Sequence, residues 1–200
     1  MKDYTHICIV LDASGSMADI ESDTKGSFNS FIKEQKEAEG KTVLDLYQFS
    51  DKVKRIVEHV DLSTFQDDLM AKYRCSGCTA LNDAVCTAID TLGKEFAQMK
   101  ESERPEHVMF VIITDGMENA SKKFSSVDVK NRIKEQTDVY KWDFQYLAAN
   151  QDAFESGEAL GVSRDNCVSW CASGTGIAYA CDSMASFAKN VRLKSGDGTI

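Results

Sequence analysis

The stretch His6-Ile-Cys-Ile-Val-Leu-Asp12-Ala-Ser14-Gly-Ser16 decides how the chain folds. Residues 6–11 form a near-continuous apolar run, with the β-branched residues Ile7, Ile9 and Val10 favouring a strand. A strand that is apolar at successive positions is covered on both faces, as central strands of parallel sheets are. The run then gives way to an acid, two hydroxyls and a glycine. Asp12, Ser14 and Ser16 thus place oxygen atoms at alternate positions where a buried strand comes out.

Working outward, strands and helices alternate along the chain. Residues 23–38 carry Phe28, Phe31 and Ile32 on one side of a helix. Residues 42–49 and 53–60 read as two strands joined by a tight turn at Ser50-Asp51, the outer one an edge strand. Residues 80–99 give the clearest helix, with Leu81, Val85, Ile89, Leu92, Phe96 and Met99 at intervals of three and four. Pro105, the only proline, separates it from a second buried strand, HVMFVIIT, over 107–114. A helix over 124–136, capped by Ser125 or Ser126, precedes a strand over 141–149. A short helix over 152–160 ended by Gly161, a last strand over 166–170 and a closing helix over 176–191 complete the pattern. The fold class is therefore α/β: a doubly wound, mostly parallel central sheet with one antiparallel edge strand and helices on both faces. Residues 1–192 are expected to form a single domain, with a polar tail over 193–200.

Composition narrows the function. The chain has 200 residues and a formal net charge of −9, which repels phosphate backbones and anionic membrane surfaces. Nucleic acid and membrane are excluded as partners on that ground, and a monomer is expected. No apolar run is long enough to cross a bilayer. The N-terminal apolar run is short and leads into polar residues rather than a cleavage site, so a cytoplasmic location is expected, in the producing cell or in one its virus infects. Seven cysteines, an odd count spread through strands and helices, fit reduced thiols better than a disulfide framework.

Three segments carry oxygen ligands to the rim where the strands end. They are Asp12-Ala-Ser14-Gly-Ser16, Gly77-Cys-Thr79-Ala-Leu81 and Thr114-Asp115-Gly116. Ligands bind at this edge of an open α/β sheet. Together the segments offer two carboxylates (Asp12, Asp115) and three hydroxyls (Ser14, Ser16, Thr79), the donor set that hard cations such as Mg²⁺ take. Neutral hydroxyls leave two carboxylates to balance a doubly charged ion. It stays electrophilic toward an incoming carboxylate.

In order, spacing and strand context, D-x-S-x-S, the later G-x-T-x-L and the later T-D-G resemble the metal-ion-dependent adhesion site of von Willebrand factor A domains. The string TDGMENAS followed by two lysines is similar to small stand-alone bacterial and phage members. The resemblance implies that Ser14 and Ser16 bind the metal directly. It implies Thr79 as a ligand directly or through water, and Asp12 and Asp115 as carboxylate ligands, often through water. It implies Mg²⁺, with Mn²⁺ or Ca²⁺ as alternatives, and a protein partner that completes the shell with an Asp or Glu. It also implies a binding module rather than an enzyme. Cys78 departs from the family pattern, where a glycine or other small residue is commoner.

Other readings compete. A Mg²⁺-dependent phosphatase could use Asp12 as nucleophile, but its second Asp would fall where Ser14 stands. A metal-independent scaffold would not need all five ligand types. Asp12, Ser14 and Ser16 could instead cap a helix, and Asp115-Gly116 could be a simple turn. Cys75-Ser-Gly-Cys78 could hold zinc or act as a redox switch, though no second pair completes a zinc set. Cys8, Cys86, Cys167, Cys171 and Cys181 read as small buried hydrophobes. His6, His59 and His107, far apart in sequence, read as packed or surface residues. Tyr140, Trp142, Phe144 and Tyr146 alternate along one face and read as core. Gly174-Thr-Gly176 lacks the lysine of a phosphate loop. Met17, Asp19, Glu118 and Asn119 are expected to flank the ion, as a solvated rim or as tuners of partner choice.

Overall fold

A computed structural model describes residues 3–65 and 68–194. Six strands make one sheet: β1 (Tyr4–Asp12), β2 (Lys41–Phe49), β3 (Val53–Asp61), β4 (His107–Thr114), β5 (Asp143–Ala149) and β6 (Cys167–Trp170). Their spatial order is β3-β2-β1-β4-β5-β6. Among the described residues only the β2–β3 pair is antiparallel. The doubly wound, mostly parallel sheet with one antiparallel edge strand is therefore observed. The chain leaves β1 toward β2 on one side and β4 toward β5 on the other. The strand order reverses between β1 and β4, and a crevice opens there beyond their carboxyl ends.

Helices α1 (Glu21–Glu37) and α5 (Gly174–Arg192) cover one face; α2 (Leu81–Gln98) and α3 (Ser126–Asp138) cover the other, with the short α4 (Ala153–Ala159) near β6. Alternation along β1 feeds both layers. Ile7, Ile9 and Leu11 pack toward α1 and α5, whereas Cys8 and Val10 pack toward α2 and α3. The stripe of α2 read from the sequence is buried from Leu81 to Phe96. Ser125, rather than Ser126, caps α3. Its hydroxyl accepts from the Asp128 amide while Asp128 accepts from the Ser125 amide, a closed capping box. Asp152 caps α4, and Gly161, at φ +93°, follows its end. No helix among the described residues is long and apolar enough to cross a membrane.

Several local expectations are corrected. A 3₁₀ turn over Gly15–Ile20 precedes α1. β5 starts at Asp143, because Lys141 takes a left-handed φ of +59° and turns Tyr140 out to 59% exposure. Trp142, Phe144 and Tyr146 are core, as expected. Cys171 is exposed, because it lies just past β6 in the loop to α5. Gly174-Thr-Gly176 opens α5 under a Ser173 cap, and a Cβ on Gly176 would lie 1.8 Å from the Cys171 carbonyl oxygen. Of the expected tail, residues 195–200 lie outside the described residues; Leu193 and Lys194 close α5.

The edge strand β3 is fastened by buried charge. Asp45 on β2 is fully buried and accepts from Arg55 Nε at 2.6 Å, His6 Nε2 at 2.8 Å and the His59 amide at 3.2 Å. Arg55 also grips Glu95 of α2 at 2.7 and 3.0 Å. Burial alone would raise the Asp45 carboxyl, but the bonds from His59, His6 and Arg55 outweigh it and hold the pKa far below the usual range. Removing one partner of such a group strands the others without solvation. Asp45→Ala is expected to cost about 3–5 kcal/mol in urea unfolding, and an unchanged midpoint would show that the network contributes nothing.

Candidate metal centre

Asp12 ends β1 and Thr114 ends β4, so the two strands deliver their last side chains to the same crevice. Asp12 is fully buried. Its Oδ1 accepts the Ser14 amide at 2.8 Å and its Oδ2 accepts Thr114 Oγ1 at 2.6 Å. The next residue, Asp115, is 3% exposed, and its Oδ1 accepts Ser16 Oγ at 2.7 Å. Ser14 Oγ and Ser16 Oγ lie 3.1 Å apart. Adjacent ligands of an octahedral Mg²⁺ site are separated by about 2.9 Å, given metal–oxygen bonds of about 2.0–2.1 Å. The chain Ser14–Ser16–Asp115 therefore has the spacing of an octahedral edge, and the residues present fit a hard cation. Ser14 is the N-terminal flank of the 3₁₀ turn but makes no side-chain cap bond, which removes the capping reading for its hydroxyl.

The third segment is strapped to the first. The Gly15 amide donates to the Gly77 carbonyl at 2.9 Å, and the Ser76 amide to the Ala13 carbonyl at 2.7 Å. Gly77 sits at φ +79°, and a Cβ there would lie 2.1 Å from Asp51 Oδ2, so only glycine fits the turn. Thr79, 4% exposed, brings its hydroxyl beside the loop after Asp115: a Cβ on Gly116 would stand 3.5 Å from Thr79 Oγ1. All five residues singled out in the sequence meet here. Gly15 and Ser16 are exposed, and Met117 stands 70% exposed on the loop after Asp115, so the cluster opens to solvent.

Burial pushes the Asp12 carboxyl up, against the bonds from Thr114 and Ser14 and with Asp115 adding to it. Burial likewise raises Asp115, against the Ser16 bond. Among the described residues no lysine, arginine or histidine bonds either carboxylate. A divalent cation is the charge this donor set is short of.

The flanking residues depart from expectation. Met17 is fully buried in the core; Asp19 is exposed. Glu118 and Asn119 are a clamp rather than a rim. Asn119 Oδ1 accepts the Thr79 amide at 2.9 Å, and the amides of Asn119 and Ala120 return to the Thr79 carbonyl. Glu118 accepts the Asn82 amide in the first turn of α2, together with the amides of Ala120 and Ser121 and the Ser121 hydroxyl. Burial raises its carboxyl, but those bonds win and leave the pKa lowered. Asp83 in turn accepts the amides of Lys122, Lys123 and Phe124. Sequence reading missed this lock. Its trace was the absence of a capping side chain at Ala80, which obliges the first turn of α2 to find acceptors elsewhere. Cys75 and Cys78 are free thiols, and burial pushes Cys75 up to about 11, which keeps it protonated and slow to oxidise.

The family profile described as von Willebrand factor type A domain matches residues 6–146. No curated protein sequence matches the chain. Among solved structures, the D319A mutant of the PilB minor pilin from Streptococcus sanguinis is similar with a TM-score of 0.69 and 11% identity, over 98% of this chain and 64% of that one. Proximal thread matrix protein 1 from the mussel byssus, described with a zinc-occupied MIDAS motif, gives a TM-score of 0.65 and 15% identity over 92% of this chain. This chain spans 46% of the mussel protein. The vWF domain of the type V pili tip protein Mfa5 from Porphyromonas gingivalis gives 0.64 and 10% identity, over 98% of both chains. At these identities the structures testify to the fold.

The clamp can be tested alone. Asn119→Ala removes the acceptor of a buried amide and is expected to cost about 1–3 kcal/mol and to speed hydrogen exchange at the Thr79 amide. Unchanged protection at Thr79 would show that Asn119 does not hold it.

Proposed function

The chain belongs to the von Willebrand factor type A family, and on that premise we propose that it is a metal-dependent protein-binding module. The observation that carries this reading is the Ser14–Ser16–Asp115 oxygen chain, spaced at 3.1 and 2.7 Å beside two buried carboxylates without a cationic partner among the described residues. Ser14, Ser16 and Thr79 would supply hydroxyl oxygens and Asp12 and Asp115 the carboxylates, with Mg²⁺ the ion expected first and Mn²⁺ or Ca²⁺ able to use the same oxygens. The mussel protein's zinc-occupied motif supports a divalent ion at this place in the fold. Bound there, the ion would act as an electrophile for an oxygen from outside the chain.

The chain's own residues suit that task. The two aspartates cancel the charge of a divalent ion without exceeding it, so an Asp or Glu of a partner protein remains attractive as an added ligand. Exposed Ser16 marks the side from which it would arrive. Both Asp12 oxygens already accept hydrogen bonds, one from a backbone amide and one from Thr114. A phosphatase of that kind would place its second Asp where Ser14 stands, so binding is favoured over hydrolysis at Asp12.

Calorimetric titration of Mg²⁺ and Mn²⁺ into EDTA-stripped protein should give one-to-one binding at this site, abolished in Asp12→Ala and weakened at least tenfold in Ser16→Ala. Partner capture should then follow the metal, lost on EDTA and restored by Mg²⁺. Capture indifferent to EDTA would replace the proposal with a metal-independent scaffold.

A further inference from the structure

His6 and His59 are 53 positions apart in sequence, yet their ring centroids stand 5.0 Å apart. Between them lies the Asp45 carboxylate. Its Oδ2 is 2.8 Å from His6 Nε2 and 3.2 Å from His59 Nδ1, and the three atoms lie within 4.8 Å of one another. This group is near the start of β1, six residues and about 20 Å of strand away from Asp12. It shares no residue with the oxygen cluster. We infer that His6 Nε2, Asp45 Oδ2 and His59 Nδ1 form a second divalent-cation site, one that takes zinc or a similar borderline first-row metal.

The donor set differs in kind from the rim. Two imidazoles and one carboxylate, with a fourth place left for water, is the composition of open zinc sites. Tetrahedral ligands at about 2.0–2.1 Å from zinc sit about 3.4 Å apart; the two contacts to Asp45 Oδ2 are close to that spacing, whereas the His6 and His59 nitrogens, within 4.8 Å of each other, would close by up to about 1.4 Å through rotation of the partly exposed His59 ring. Its supports are in place. Tyr4 Oη lies 3.2 Å from His6 Nδ1, where it can accept a hydrogen bond from Nδ1–H; metal binding would shift His6 to that tautomer, replacing the Nε2–H bond to Asp45 and freeing the Nε2 lone pair for the ion. Asp45 Oδ1 is held by Arg55 Nε and the His59 amide, which leaves Oδ2 to the ion.

Two features of the neighbouring strands bear on the site. His59 has a left-handed φ of +46°, at a point where the β2–β3 register slips between Leu44 and Leu46. A bulge that forces a non-glycine residue into this region re-aims its side chain, here onto Asp45. Tyr47, two residues along the same face of β2 from Asp45, has a buried hydroxyl with no partner among the described residues. His59 is 29% exposed at the side chain and gives the route in.

Arg55 is the competing cation. Its Nη2 lies 2.6 Å from His59 Nδ1 while the same guanidinium is already paired with both oxygens of Glu95. Metal binding would require Nη2 to give up His59 and keep Glu95. Asp45 and Glu95 together carry one negative charge more than Arg55, which offsets half the charge of a divalent ion.

The test uses Asp12→Ala protein, in which the oxygen site is removed. Co²⁺, the spectroscopic stand-in for zinc, should bind one ion per chain with the intense visible bands of four-coordinate nitrogen and oxygen ligation, and Zn²⁺ should displace it. Adding His59→Asn, which tolerates a left-handed backbone, should weaken Co²⁺ at least tenfold and leave the far-ultraviolet circular dichroism unchanged. If that double variant unfolds, the spectrum of the Asp12→Ala protein decides alone. No binding, the weak bands of six-coordinate cobalt, or a sulfur charge-transfer band marking Cys75 and Cys78 would each overturn the inference.

Discussion

The rim of the molecule hangs on Asp12. Its Oδ2 takes the Thr114 hydroxyl and so ties the end of β1 to the end of β4 across the switch point. Its Oδ1 takes the Ser14 amide and sets the turn that follows. Its carbonyl takes Tyr73 Oη at 2.6 Å, which draws in the segment that crosses from β3 to α2. One fully buried residue therefore fixes three pieces of chain, each of which bears or adjoins a proposed ligand. A buried carboxylate in that position is an electrostatic burden, which a bound divalent ion would offset.

The second support is the reciprocal lock between α2 and the loop after Asp115. The loop supplies acceptors for the first turn of α2 through Glu118, and α2 supplies acceptors for the loop through Asp83. Thr79 and Asp115 are thus held by hydrogen bonds made outside the cluster. Supports of this kind limit what binding would have to order.

Much of this was legible from the chain. The doubly apolar runs at residues 6–11 and 107–114 disclosed two central parallel strands, since burial on both faces leaves no other pattern. The five oxygen residues were legible because each follows or precedes a strongly periodic element. What stayed hidden depended on contacts between distant residues. Nothing local to Glu118 or Asn119 distinguishes a clamp from a solvated rim. The union of His6, Asp45 and His59 required the antiparallel turn of β3, a register slip and one left-handed residue. Tyr140 was misplaced because alternation continued one step past the point where Lys141 turns the backbone. The two clusters also divide by donor chemistry, oxygen at one end of β1 and nitrogen with oxygen at the other, which suits different ions.

The most direct test of the account is anomalous scattering from crystals grown with Mn²⁺. A metal held by the oxygen cluster will give a peak about 2.2 Å from both Ser14 Oγ and Ser16 Oγ, slightly longer than the Mg²⁺ distance, with Thr79, Asp12 and Asp115 around it directly or through water. A peak on the exposed acidic residues outside this crevice, or none between Ser14 and Asp115, would contradict it.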